Sequence, residues 1–237
     1  MKYYKTNITI LALAILSLLG SCKKKNDSKP AFTETKIDLT THKLKLFSAI
    51  KNSKYLVVFE SGLGNDHTVW NNKNVALQIR GNTDVLMYDR AGYGQSENGP
   101  NPRNVDRLRR ELESVIDKFS YGRKVILIGH SLGGLIIRDY AIKHPLQTAA
   151  LLFVDPTHEF YSHPSQADED LLYEDAKNAG GANSGLAFEA REFIEDLQYA
   201  NTLPNLSNVP VIVLTHMKLD ANHSSSDMQT LYMHTNC

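Results

Sequence analysis

Short apolar runs alternate with amphipathic stretches along most of the chain. Ile37, Leu39 and the segment Lys43 to Phe47 alternate with polar neighbours and predict an opening hairpin. Tyr55 to Phe59 and Asp84 to Tyr88 are runs of β-forming residues without alternation, as expected of strands buried on both faces. Val75 to Ile79 predicts a short helix. Asn101-Pro102 looks like an N-cap followed by proline at the first helical position. After it, Val105, Leu108, Leu112, Val115, Ile116 and Phe119 recur every three or four residues, giving a helix with one apolar stripe and a charged, solvated opposite face. Lys124 to Ile128 then predicts a strand, Leu132 to Lys143 a helix, Ala149 to Val154 a strand, Val209 to Thr215 a strand and Asp227 to His234 a helix start. Strands alternating with helices imply an α/β fold with a mostly parallel, doubly wound sheet.

Two segments break the alternation. Residues 156–208 predict two helices, near 165–179 and 185–200, separated by Gly180-Gly181-Ala182-Asn183. This insertion holds ten acidic residues against Lys177 and Arg191, a net charge of −8. Its place between two core strands predicts a lid, and its acidity predicts mild repulsion of anionic substrates unless it is only a soluble outer face. The other segment is the N-terminus. Lys2 and Lys5 precede the apolar run Ile8 to Leu19, too short to span a bilayer and suited to an export signal. It ends in Leu19-Gly20-Ser21-Cys22, which resembles a bacterial lipobox and implies cleavage before Cys22 and lipidation of its thiol. The expected organisation is a signal peptide over 1–21, a polar tether over 22–35 and a folded domain over 36–237. The expected location is the cell envelope, anchored to a bacterial membrane and facing the periplasm or the exterior.

Composition narrows the partners. Lys and Arg total 26 and Asp and Glu total 26, so no basic surface is available for nucleic acid. The two cysteines are Cys22 and Cys237, too few for a disulfide scaffold. No cofactor is implied. His216, Asp220 and His223 match no metal-site spacing, so no metal is expected either.

The chemistry is concentrated in Gly129-His130-Ser131-Leu132-Gly133, a G-x-S-x-G pattern set between a predicted strand and a predicted helix. Glycines two residues either side let the backbone crowd a sharp turn that lifts the Ser131 hydroxyl. The Leu132 N–H is left free at a helix N-terminus, where it can stabilise an oxyanion. Glu60-Ser61-Gly62-Leu63-Gly64 follows the strand at 55–59, and Asp89-Arg90-Ala91-Gly92-Tyr93-Gly94-Gln95-Ser96 follows the strand at 84–88. In this order the three motifs resemble the α/β-hydrolase fold over about residues 36–237. By that resemblance the first loop is an oxyanion loop with Ser61 in place of the usual His, and Leu63 N–H is the second oxyanion donor. Asp89 reads as a structural acceptor. A serine at the elbow, where haloalkane dehalogenases and epoxide hydrolases carry an aspartate, implies acyl transfer on an ester or a related small molecule.

The family order is Ser, acid, His. Asp220, five residues past the strand ending at Thr215, is the expected acid; Asp155 is the runner-up and Asp227 a third choice. The resemblance implies a further strand and a Gly-His loop beyond Leu231 to Cys237, so the domain is expected to be C-terminally incomplete, with its last strand, base and closing helix missing. None of the nine histidines sits in the context of the base. Two readings follow: a serine hydrolase that is lipid-anchored at Cys22, or a hydrolase-like lipoprotein without turnover that binds or supports something else.

Overall fold

The structure is a computed structural model that describes residues 32–72, 75–206 and 208–215. The chain divides into two units, Met1–Ala31 and Phe32–Cys237, the first outside the described residues. The signal, Cys22 and Asp220 therefore lie outside the described residues, as do the helix expected at 227–234 and the histidines from 216 on.

The opening hairpin pairs β1 (Thr33–Asp38) with β2 (Lys43–Ala49). Then come β3 (Leu56–Glu60), the short helices α1 (Thr68–Asn71) and α2 (Val75–Ile79), and β4 (Asp84–Asp89). Next are α3 (Val105–Ser120), β5 (Val125–His130), α4 (Leu132–Lys143) and β6 (Thr148–Val154). The insertion expected to form a lid holds α5 (Gln166–Gly180), α6 (Gly185–Ala190) and α7 (Phe193–Ala200), and β7 (Val211–Leu214) returns to the sheet.

The seven strands form one sheet in the order β1-β2-β4-β3-β5-β6-β7. β2 runs antiparallel to both β1 and β4; from β4 to β7 every pairing is parallel. Every residue of β3 and β4 is buried, which explains their unbroken apolar runs: helices cover both faces. The apolar stripe of α3 packs on this sheet through Val105, Leu108, Leu112, Val115 and Ile116. The chain reaches β4 on one side of β3 and β5 on the other, so a crevice opens at the carboxyl ends of these strands. In register, Glu60 lies beside Gly129, and Gly129 beside Phe153.

Three expectations need correction. The N-cap of α3 is Asn104, whose side chain accepts from Arg107 N–H at 3.1 Å, and Asn101-Pro102 is a cis peptide before the helix. Asn104 wins because its carbonyl oxygen reaches a backbone donor that would otherwise be left open. The charged face of α3 is not wholly solvated: Arg109 and Glu111 are buried. Arg109 lies 3.0 Å from Asp139 and Glu111 2.9 Å from Arg103. The second lid helix is two helices, α6 and α7, parted at Arg191-Glu192.

The lid acids do not all face outward either. Glu159, Glu169, Glu189 and Asp196 are buried. Glu159 pairs with Arg138 at 2.8 Å, Glu169 accepts from Ile194 N–H at 2.9 Å, and Asp196 accepts from Val105 N–H at 2.6 Å. Part of the negative charge thus fastens the insertion to the body of the fold and is neutralised there, which weakens the repulsion of anions expected from sequence.

Candidate active site

The turn after β5 is tightly constrained. Ser131 adopts φ 50 and ψ −121, a conformation that L side chains rarely take and that the surroundings must enforce. Ser131 N–H donates to Val154 O at 3.2 Å, and Ser131 O accepts from Gly134 N–H at 2.8 Å and Thr157 N–H at 3.2 Å. A Cβ on Gly129 would lie 2.6 Å from Gly133 O, and one on Gly133 would strike the carbonyls of Glu60 and Ser61. Both glycines of the G-x-S-x-G pattern are therefore imposed by backbone proximity: one closes the turn, the other lets α4 start against the end of β3. The Ser131 hydroxyl lies 3.4 Å from Thr157 Oγ1.

The loop after β3 lies against this turn. A Cβ on Gly62 would sit 3.1 Å from Ser131 Cβ and 2.7 Å from His130 Nδ1. Ser61 steadies the loop: its hydroxyl accepts from Trp70 Nε1 at 3.0 Å and donates to Asp66 O at 3.1 Å. Leu63 packs its side chain on the core. Among the described residues, neither Leu63 N–H nor Leu132 N–H meets an acceptor. Leu132 is the first residue of the twelve-residue α4, so its N–H adds to the positive end of that helix.

The loop after β4 supplies a buried cation. Arg90 is 2 % exposed and places all five of its N–H donors. Nε and Nη2 meet the two oxygens of Glu189 at 2.9 and 2.8 Å. Nη1 meets Glu60 Oε1 at 3.0 Å and Ser61 O at 2.5 Å, and Nη2 also meets Gly62 O at 2.9 Å. Burial pushes the Glu60 carboxyl up to about 7, against the opposing pull of Arg90 and of the Tyr88 hydroxyl that donates to it. Burial and the neighbouring Glu60 hold the Tyr88 phenol well above its ordinary range. Further along, Arg103 grips Glu111 with two bonds of 2.9 Å, and His42 lies 3.3 Å from the same carboxylate. Although burial opposes it, the bonds from His42 and Arg103 bring Glu111 down to about 2.

Known proteins agree with this arrangement. Residues 55–208, more than half of the chain, match a family model described as alpha/beta hydrolase fold. The chain belongs to the α/β-hydrolase family. Among curated relatives it is 29% identical over 105 residues to the uncharacterised protein YqjL of Bacillus subtilis, covering 44% of this chain and 41% of that one. It is 29% identical over 133 residues to a 1-acylglycerol-3-phosphate O-acyltransferase of Sus scrofa, covering 54% and 36%. It is 28% identical over 109 residues to a human (lyso)-N-acylphosphatidylethanolamine lipase, covering 45% and 31%. The chain thus spans only about two fifths or less of the length of these relatives. Solved structures share the fold at low identity. Cfl2 of Burkholderia cenocepacia superposes with a TM-score of 0.62 at 14% identity, covering 77% of this chain and 79% of that one. The haloalkane dehalogenase DatA of Agrobacterium tumefaciens gives 0.59 at 15%, covering 78% and 79%.

Within this α/β-hydrolase, Ser131, Leu132 and Leu63 are brought together at one end of the sheet, and Asp220 and Cys22 lie outside the described residues. Asp155 is exposed at φ 45; its N–H donates to Leu214 O at 2.7 Å and its carboxylate accepts from the Thr215 hydroxyl at 3.4 Å. Asp89 accepts from His67 N–H at 3.0 Å, His67 Nδ1 at 2.6 Å and Gln95 N–H at 3.0 Å, and these bonds lower its pKa in spite of burial. The His67 ring stacks on Phe47 with centroids 3.5 Å apart. Asp66, His67 and Asp89 bring ligand-type atoms within 4.8 Å of one another, yet Asp66 caps Thr68 and Asp89 holds His67, so the cluster braces the loop. His130 sits under the turn with its ring edge to Trp70 at 6.4 Å. A cavity of about 90 Å³ opens beside Thr157, lined by Gly134, Leu135, Phe153, Pro156 and Val213 among others.

Sequence reasoning passed over Glu60, Arg90 and Glu189. The available signal was Glu60 itself: a carboxylate closing the apolar run of β3 needs a buried cation, and Arg90 closes the neighbouring strand.

Proposed function

We propose that this chain is a serine hydrolase that opens an ester or related acyl bond of a small molecule through an acyl-enzyme on Ser131. The observation that carries the reading is Ser131, held at φ 50 beside two backbone N–H groups that meet no acceptor among the described residues. The hydroxyl attacks the acyl carbon, and the developing oxyanion is taken by Leu63 and Leu132 N–H. Asp220 is assigned the role of orienting a histidine base, which would accept the hydroxyl proton and return it to the leaving alcohol. Two relatives, described as a lipase and an acyltransferase, belong to the same acyl-transfer chemistry. Turnover of p-nitrophenyl acetate and butyrate tests it: wild type hydrolyses them, and Ser131→Ala loses at least about a thousandfold. Equal rates would remove Ser131 from the mechanism.

A second reading, a hydrolase-like protein without turnover, draws on the Thr157 hydroxyl as the partner of Ser131 among the described residues. A hydroxyl is no general base, and an unactivated serine is a weak nucleophile. Failure of a fluorophosphonate probe to label Ser131 would favour it. For location, the proposal is a lipid anchor on Cys22 in the cell envelope. Cys22→Ser should move the protein from the membrane to the soluble fraction, and retention in the membrane would count against lipidation.

A further inference from the structure

The two peptides that flank Leu63 are tied, each through one intermediary, to a single residue of the insertion. In a trans peptide the carbonyl and the following N–H point in opposite directions. Gly62 O accepts from Arg90 Nη2 at 2.9 Å, so Leu63 N–H is aimed away from Arg90, toward the side where it meets no described acceptor. On the far side of Leu63, Gly64 N–H donates to the Tyr93 hydroxyl at 3.3 Å. Tyr93 in turn donates to Glu189 Oε2 at 2.8 Å, the oxygen that also accepts from Arg90. Glu189 lies on α6 and is fully enclosed. No other group in the lid is tied to both flanks of Leu63 among the described residues.

We infer that Glu189 is a positioning residue for the oxyanion loop: docking of α6, through Arg90 and Tyr93, is what aims Leu63 N–H, so the lid completes the oxyanion site. The inference rests on the proposed acyl-transfer reaction at Ser131. Glu189 touches no reacting atom. It acts through two intermediaries, each of which bonds a different peptide next to Leu63. Without the Glu189 carboxylate, Arg90 keeps Glu60 as its counter-ion but can rotate off the Ser61 and Gly62 carbonyls, and the 62–63 peptide is left with the single turn bond from Asn65 N–H to Gly62 O at 3.2 Å.

The experiment compares wild type, Glu189→Gln, Tyr93→Phe and Glu174→Gln, the last altering an exposed lid acid that among the described residues pairs with Lys177 alone. Steady-state hydrolysis of p-nitrophenyl butyrate and hydrogen–deuterium exchange of peptides spanning residues 61–66 are read on the same preparations. The expected result is a fall in kcat of about 100-fold for Glu189→Gln with KM within about twofold, the mark of an interaction made in the transition state. Tyr93→Phe keeps both ion pairs and the ring volume, and is expected to lose about tenfold in kcat, again without a change in KM. Both variants should exchange faster at 61–66, and Glu174→Gln should match wild type in both readings. Unchanged exchange at 61–66 in Glu189→Gln and Tyr93→Phe overturns the inference, as does a rise in KM with kcat retained. If wild type shows no turnover that depends on Ser131, the proposed reaction fails. The exchange arm then still decides whether α6 holds the loop. Should Glu189→Gln fold poorly, Tyr93→Phe alone carries both readings.

Discussion

Ser131 shows how a single residue can carry strain on behalf of a site. At φ 50 and ψ −121 it occupies a region that costs of order 1–3 kcal/mol for a residue with a Cβ. Glycine enters that region freely. Ser131→Gly should therefore melt higher than Ser131→Ala, by about 1 kcal/mol, although both remove the hydroxyl. Thermal unfolding of the two variants measures the difference; equal melting would mean that the turn is not strained. This residue was legible because its motif records a backbone constraint: Gly129 and Gly133 stand where a Cβ would meet another backbone. Arg90 and Glu189 were not legible in the same way. Their partners lie 30 and 99 residues apart along the chain, and a charged residue in a single sequence looks the same whether it faces solvent or a buried counter-ion.

At the scale of elements, the alternation of apolar runs predicted all of the parallel strands. Continuous burial on both faces leaves a local trace, as in Leu56 to Phe59. Helix ends were read less well. Asn101-Pro102 has the composition of a helix start, and the deciding contact is the reach of the Asn104 side chain to Arg107 N–H. A lid residue completes that end: Asp196 of α7 accepts from Val105 N–H at 2.6 Å, while its other oxygen is buried without a partner. Burial pushes the Asp196 carboxyl well above its ordinary range. The Val105 bond opposes this, and nearby Glu192, Glu189 and Glu195 add to it. The native state therefore binds a proton that the unfolded chain has released, and stability falls as pH rises above the ordinary carboxyl value of about 4. Asp196→Asn keeps an oxygen for Val105 and carries no charge. It should melt higher than wild type at pH 7, with the gap closing toward pH 4; a variant less stable than wild type at pH 7 would show that the charge is needed.

For the whole molecule, two sets of buried acids pull in opposite directions. Glu111, down to about 2, and Asp84, down to about 2, stabilise the fold above their ordinary values and cease to do so as pH falls toward 2. Arg123 and the N–H groups of Lys51 and Ser53 hold Asp84 down, against its burial. Glu60, up to about 7, behaves oppositely: its contribution is full below about 4.5 and is lost as pH rises through 7. Stability should accordingly peak near about pH 5, in a denaturation series from pH 2 to 8. Glu60→Gln should make the alkaline limb shallower between about 4.5 and 7, leaving the share carried by Asp196, and leave the acid limb. Glu111→Gln should lower stability at pH 7 by about 3 kcal/mol, with the gap vanishing near pH 2. An alkaline limb of unchanged slope in Glu60→Gln would show that Glu60 carries no part of it.

The burial of Glu189 also bears on how anything reaches the crevice. Lifting α6 would pull one of two carboxylates away from Arg90 and leave that buried guanidinium with Glu60 alone, at a cost of a few kcal/mol. The segment before α6 is not held so firmly: α5 shows few buried residues, and Phe160 and Tyr161 in the lid entry are exposed. Traffic to and from Ser131 is then expected to pass around α6 rather than beneath it. Entry and exit would be governed by the mobility of the first half of the insertion, and one short helix would stay fixed as the jamb of the door.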